Sequence, residues 1–289
     1  MEFSQLELRY FTTFHDDENE FLYSLILENH IEIVLKPSLS MLACIQLQIC
    51  ELLATNMAFI PKSTPQFKNE SCEEKKKRTR IIITRLKDKF PHAKIALHFS
   101  NPWELLVAVI LSAQCTDKKV NEVIPALFKK YKKIEDYIRA DKKEFERLIH
   151  STGFYHAKAN SILTTAKIIH EKFGDRVPRT MKEILTLKGV ARKTANVVLG
   201  NAYGIVDGIA VDTHVIRLSQ RLGLSSSDKP IIIERDLMEI IPKRDWFQST
   251  YLLIEHGRAI CTAKDPRCDV CPLKKICPSA FQFPRFENN

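Results

Sequence analysis

Apolar residues recur at helical spacing along most of this chain. Val120, Ile124, Leu127 and Phe128 share one helical face, with Thr116 or Asp117 placed to cap its start. Ile162, Ala166, Ile169 and Phe173 form a second face, and Gly174 stands where a C-cap glycine belongs. Thr180-Met181-Lys182-Glu183 has capping-box spacing ahead of Ile184 and Leu185. Val215, Leu218 and Leu222 make a stripe that Gly223 ends. The runs Ile81–Ile83 and Ile231–Ile233 are short enough for strands, but their neighbours read as helix, so helix is the first reading. Few runs alternate as strands do, and no internal repeat stands out. The pattern predicts an all-α fold from about residue 79 onwards.

Composition adds that a core can form. Apolar residues make up 45% of 289 positions, which excludes wholesale disorder. The most apolar stretch, Leu39 to Ile60, is broken by Gln46, Gln48, Glu51 and Asn56, so no membrane span is expected.

Charge divides the chain. Residues 1–57 hold 2 Lys/Arg against 9 Asp/Glu, a net of −7, so the chain total of +9 leaves +16 on residues 58–289. A basic body attracts polyanions, because each phosphate neutralised releases a counterion; a soluble basic protein without such a partner is the plain alternative. Residues 1–57 are left unassigned, as an acidic extension either disordered or an artefact of a start at Met57 rather than Met1. Residues 58–78, with two prolines and a charged run from Glu73 to Arg78, read as a basic linker, and 281–289 as a tail.

Cysteine usage points to a metal centre. Four of eight cysteines fall in the pattern Cys261-x6-Cys268-x2-Cys271-x5-Cys277. No secretory signal is visible, so a disulfide scaffold is disfavoured. Structural zinc usually pairs two close knuckles. One close pair flanked by longer arms suits a [4Fe–4S] cubane better, with zinc second and chance clustering last. Lys264, Arg267, Lys274 and Lys275 lie between the ligands, as a phosphate-facing patch or as a solvated loop.

Three further segments carry chemistry. Leu187-Lys188-Gly189-Val190-Ala191-Arg192 reads as a tight turn entering a helix, a site for a DNA phosphate. Lys193 follows it. Taken alone it is a solvated lysine, but adjacent Arg192 and a helix N-terminus both disfavour an ammonium and favour a nucleophilic amine. Asp212 precedes an amphipathic helix, so it is either an N-cap or an ionised carboxylate that stabilises a cationic sugar; His214 is read as its support. Gln114, in Leu111-Ser-Ala-Gln-Cys-Thr-Asp117, either reaches into an opened base stack or belongs to an ordinary polar loop.

Together these segments resemble endonuclease III, the helix-hairpin-helix DNA glycosylase family. The likeness runs from about 79 to Pro278 and includes LSAQCTD (111–117), TGFYHAKA (152–159), LKGVARKTANVVLG (187–200), AVDTHV (210–215) and HGRAIC (256–261). It implies an all-α, two-lobed fold: a six-helix barrel with the hairpin over 96–206, and a cluster lobe from 79–95 and 207–280. It implies Lys193 as nucleophile, Asp212 as essential aspartate, Gln114 as filler of the gap left by a flipped nucleotide, and Phe154 as wedge, where Leu is usual. It implies a bifunctional glycosylase and AP lyase that acts as a monomer on double-stranded DNA carrying oxidised pyrimidines or abasic sites. Such an enzyme belongs in the cytoplasm with the nucleoid in a prokaryote, or in the nucleus or mitochondria of a eukaryote. The family usually reads LPGVG where this chain has Lys188 and Ala191, and Ala191 would be strained if its position needs positive φ. The Lys193–Asp212 separation is also about one residue longer than usual, which a loop at Ile205–Gly208 can absorb. The alternatives are an adenine glycosylase, disfavoured by Lys193 and by a chain that stops 12 residues after Cys277, a mismatch-specific thymine glycosylase, disfavoured by the same lysine, and a non-catalytic DNA-binding iron–sulfur protein.

Overall fold

A computed structural model describes residues 10–15, 21–26, 32–35 and 70–286. The chain divides into two compact units, Met1–Ala58 and Phe59–Asn289. In the first, β1 (Tyr10–His15), β2 (Phe21–Ile26) and β3 (Glu32–Leu35) form an antiparallel sheet in the order β1-β2-β3. Tyr10 pairs with Ile26 and Tyr23 with Leu35. This sheet lies within residues 1–57, which the sequence pattern leaves unassigned. Its strands are rich in aromatic and β-branched residues rather than strictly alternating, so a search for period two passes over them.

Within the second unit, residues 70–286 are all-α, as the periodicity predicts. Helix α1 (Cys72–Lys89) begins inside the stretch expected to be linker. The reason is local. Ser71 and Glu74 form a reciprocal capping box, and Glu73 pairs with Lys76 one turn on. Arg78, read as part of a charged run, is buried: it takes both carboxylate oxygens of Glu70 at 2.6 and 2.7 Å and donates to the Leu222 carbonyl. Residues 58–69 of that expected linker lie outside the described residues.

Two hydrophobic cores follow. Helices α2 (Pro102–Leu111), α3 (Asp117–Lys130), α4 (Ile134–Ile138), α5 (Lys142–Ile149), α6 (Tyr155–Phe173), α7 (Met181–Ile184) and α8 (Arg192–Tyr203) enclose the first, built from Leu97 to Ala210. Helix α2 runs through its centre, with every residue from Leu105 to Leu111 buried. The second core joins Ile82, Ile83 and Leu86 of α1 to α9 (Thr213–Arg221), α10 (Pro230–Ile240), α11 (Trp246–Ala259) and Leu273. Both three-isoleucine runs are helical, in α1 and α10. No helix among the described residues is long and apolar enough to cross a membrane.

Candidate functional site

The turn before α8 is built around Gly189, which sits at φ 76°. Leu187 and Val190 on either side are buried and anchor the turn to the first core. Thr165 of α6 donates to the Lys188 carbonyl at 2.9 Å and holds the turn against that helix. A Cβ on Gly189 would lie 2.8 Å from Ser161 Cβ, so close packing also requires the glycine. Ala191, by contrast, has φ −93° and ψ 171°, ordinary extended backbone. The family's second glycine is therefore not needed for conformation here. Ala191 caps α8 without a side-chain hydrogen bond, so the N-cap residue leaves the first-turn N–H groups uncapped. Lys188 beside them is exposed, and a helix N-terminus of this kind suits an anion.

Lys193 is the second residue of α8 and is exposed. Arg192 is engaged within the protein. Its Nε donates to the buried carboxylate of Glu234 at 2.7 Å, and its guanidinium lies 3.8 Å from Asp207. Glu234 also accepts from Asn196 Nδ2 at 2.9 Å, and a Cβ on Gly208 would come within 1.9 Å of its Oε1. One buried carboxylate thus joins α10 to α8 and packs on the irregular segment that leads to Asp212. Sequence reading missed Glu234, because a lone glutamate in a helix carries no signal until its partners are known. Residues 204, 205 and 207 are exposed while 208 to 211 are buried, so any extra length in this segment sits at its start.

Asp212 is half-buried and caps α9, its Oδ1 accepting from the Val215 N–H at 2.8 Å. His214 lies 3.2 Å from Arg217 rather than on Asp212, and burial pushes its imidazole below the ordinary value. Gln114 and Phe154 share an unusual backbone. Both are exposed and both are left-handed, at φ 50° and 48°. Phe154 presents 55% of its surface, and Gly153 before it is also at positive φ. Holding a bulky residue in that region costs on the order of 1 kcal/mol or more, and its ring stands in solvent. Asp117 and Arg258, from two separate motifs, meet at 2.6 Å.

The cysteine loop borders a small pocket lined by Cys261, Cys268, Cys271 and Cys277 together with Arg221, His256, Ile260 and Phe283. Among the described residues no three His, Cys, Asp or Glu side chains are arranged to hold a single metal ion. Four thiols lining one pocket are a soft donor set that fits a thiolate-bound metal centre. Burial pushes the Cys268 thiol up, Cys271 to about 11 and Cys277 to about 12. Such thiols ionise only against a strong local positive charge. Arg221 is 1% exposed and pins this loop: its two amino groups donate to the carbonyls of Thr262 and Ala263, each at 2.7 Å, and one lies 3.5 Å from Cys261 Sγ. Its guanidinium stacks 4.7 Å over Phe283. His256 Nε2 lies 3.7 Å from Cys271 Sγ, and burial followed by the Arg217 charge lowers its pKa to about 4, so the ring is neutral. Neither residue was singled out from sequence. Of the basic residues on the loop, Arg267 and Lys274 fold back on the carbonyls of Ala259 and Asp269, while Lys264 and Lys275 are exposed.

An all-α body with a glycine turn presenting helix N–H groups, a lysine just beyond it and a four-cysteine pocket defines the helix-hairpin-helix class of base excision DNA repair proteins. The family model for the HhH-GPD superfamily base excision DNA repair protein matches residues 107–243. Endonuclease III of Synechocystis is 52% identical over 206 residues, covering 71% of this chain and 94% of that protein. Endonuclease III of Bacillus subtilis is 47% identical over 202 residues, covering 70% and 92%. The solved structure of a trapped endonuclease III–DNA covalent intermediate matches with a TM-score of 0.69 at 42% identity, over 72% of this chain and 97% of that one. A non-covalent endonuclease III–DNA complex matches equally well. The chain belongs to the endonuclease III family.

Proposed function

We infer that this protein is a DNA glycosylase and AP lyase of base excision repair, acting on duplex DNA with damaged pyrimidines or abasic sites. The observation that carries this reading is Lys193, an exposed amine one residue inside a helix whose uncapped N-terminus and glycine turn offer a phosphate seat. A relative in this family has been trapped as a covalent intermediate with DNA, which supports an amine nucleophile here.

In the proposed mechanism the turn 187–191 takes a backbone phosphate and the damaged nucleotide rotates out of the stack. Gln114 fills the gap and Phe154 wedges the neighbouring pair. The Lys193 amine gives its lone pair to C1′ as the glycosidic bond breaks, and the base leaves with the bonding electrons. Asp212 stabilises positive charge developing on the sugar and receives the amine proton. Ring opening leaves a protonated Schiff base. Loss of a C2′ proton then expels the 3′ phosphate, which cuts the strand by β-elimination. Arg192, engaged with Glu234, contributes by fixing the first turn of α8 more than by holding phosphate.

Cys261, Cys268, Cys271 and Cys277 are proposed to hold a [4Fe–4S] cluster. Bound there, its irons would supply the positive charge that keeps the four thiolates ionised and would cross-link the loop; Arg221 lies 3.5 Å from Cys261 Sγ as a donor and the neutral His256 ring 3.7 Å from Cys271 Sγ.

Borohydride trapping on abasic duplex tests the nucleophile. The native chain should cross-link covalently to DNA, and Lys193→Ala should lose that product by a factor on the order of 10³ or more while still binding the duplex. Equal cross-linking by both would remove Lys193 from the mechanism.

A further inference from the structure

Lys158 is a lysine with 5% of its surface exposed, in the first turn and a half of α6. Its ammonium donates to two backbone carbonyls, Leu111 at 2.8 Å and Thr152 at 2.7 Å, which lie 47 and 6 residues away in the chain. Its own N–H donates to the Phe154 carbonyl at 3.0 Å. Leu111 is the last residue of α2, and Gln114 follows three residues later. Thr152 ends a 3-10 turn, and Phe154 follows two residues later. Each carbonyl belongs to the negative end of a helical segment, where an ammonium is the complementary group. Burying a lysine is unfavourable, and burial does push the Lys158 amine below its ordinary value. A neutral donor or a water molecule can satisfy a carbonyl at a helix end without burying charge. What the ammonium adds is one rigid centre shared by two loops that are otherwise distant in sequence.

We propose that Lys158 is a positioning residue that locks the Gln114 and Phe154 loops to one another, so that both side chains are held out at fixed separation when the base stack opens. The proposal rests on the filler and wedge roles given above. Gln114 and Phe154 both have positive φ, a conformation that relaxes unless its surroundings hold it. Opening a base stack takes a few kcal/mol, and a loop that gives way cannot hold the stack open. The tie from Lys158 opposes that yielding on both loops at once, without itself touching DNA.

The test uses the full chain and two duplex substrates. One carries thymine glycol paired with adenine, with 2-aminopurine as the neighbouring base; the other carries a pre-formed abasic site. Lys158→Met keeps the apolar stem and removes the donors. It should lower single-turnover base excision by about tenfold or more and suppress the 2-aminopurine fluorescence rise, while borohydride trapping on the abasic duplex, where no damaged base has to be extruded, changes by less than about threefold. In a Gln114→Ala, Phe154→Ala background the same substitution should add no further loss. Equal losses on both substrates, or a full additional loss in that background, would overturn the proposal, since Lys158 would then act on the whole structure. Lys158→Gln is the second variant; if it and Lys158→Met both fail to fold, the lysine is a folding anchor and the proposal falls. A native chain that neither excises nor traps overturns the proposed function itself, an outcome recognisable before any Lys158 variant is made.

Discussion

At the scale of single residues, the hairpin shows which departures from the family pattern matter. Ala191 occupies extended backbone at φ −93°, so a side chain there is free of strain. Gly189 has no such freedom: it stands at φ 76° and a Cβ would press on Ser161 at 2.8 Å. Gly189→Ala should therefore cost roughly 1–3 kcal/mol of stability and misplace the α8 N–H groups. Thermal melting and duplex-binding anisotropy check this; an unchanged affinity would mean that the turn does not hold phosphate. Lys188 makes the opposite case. It is exposed, so Lys188→Ala should leave the fold intact and lower the slope of log Kd against log salt by about one.

At the scale of elements, helices α9 and α10 carry the residues that the pattern of motifs left out. Arg221 closes α9 and reaches two carbonyls of the cysteine loop, so the helix and the loop are one construction. Arg221→Met should loosen the loop at a cost of roughly 3 kcal/mol or more, because several charge-assisted hydrogen bonds are lost together. Iron and acid-labile sulfide per chain should fall well below that of the native protein, with zinc absent from both. Full iron content and an unchanged melting temperature would show that Arg221 does not hold the loop. Helix α10 supplies Glu234, whose carboxylate braces the start of α8 and packs on Gly208. That contact explains how Lys193 and Asp212 can be set by a helix that contains neither.

At the scale of the whole molecule, charge is divided along the chain. Residues 58–289 carry +16 and residues 1–57 carry −7. Neutralising about six phosphates would weaken binding by roughly 10³-fold between 50 and 200 mM salt. A chain begun at Met57 loses the acidic segment, and it should bind non-specific duplex more tightly at low salt with the same steep salt dependence. Anisotropy titrations at several salt concentrations test both statements; indifference to the truncation would show that the acidic segment does not screen the basic body.

Much of this was legible in the sequence. Helical periodicity placed α3, α6 and α9, because one buried face repeats every three to four residues whatever lies opposite. The cysteine spacing, the glycine of the hairpin and Lys193 were readable because each depends on residues adjacent in the chain. The N-terminal strands were not anticipated, since a sheet is stabilised by pairing between segments and its strands lack strict alternation. Nor was the start of α1, where a charged run conceals a capping box and a buried Arg78. Only the tertiary structure brought Glu234 to Arg192, Arg221 to the Ala263 carbonyl of the cysteine loop and Lys158 to the Leu111 carbonyl, over separations of 42, 42 and 47 residues. The physical reason is common to all three. A buried charge is tolerated only where the fold delivers its partners, and a one-dimensional pattern records the charge without recording what answers it.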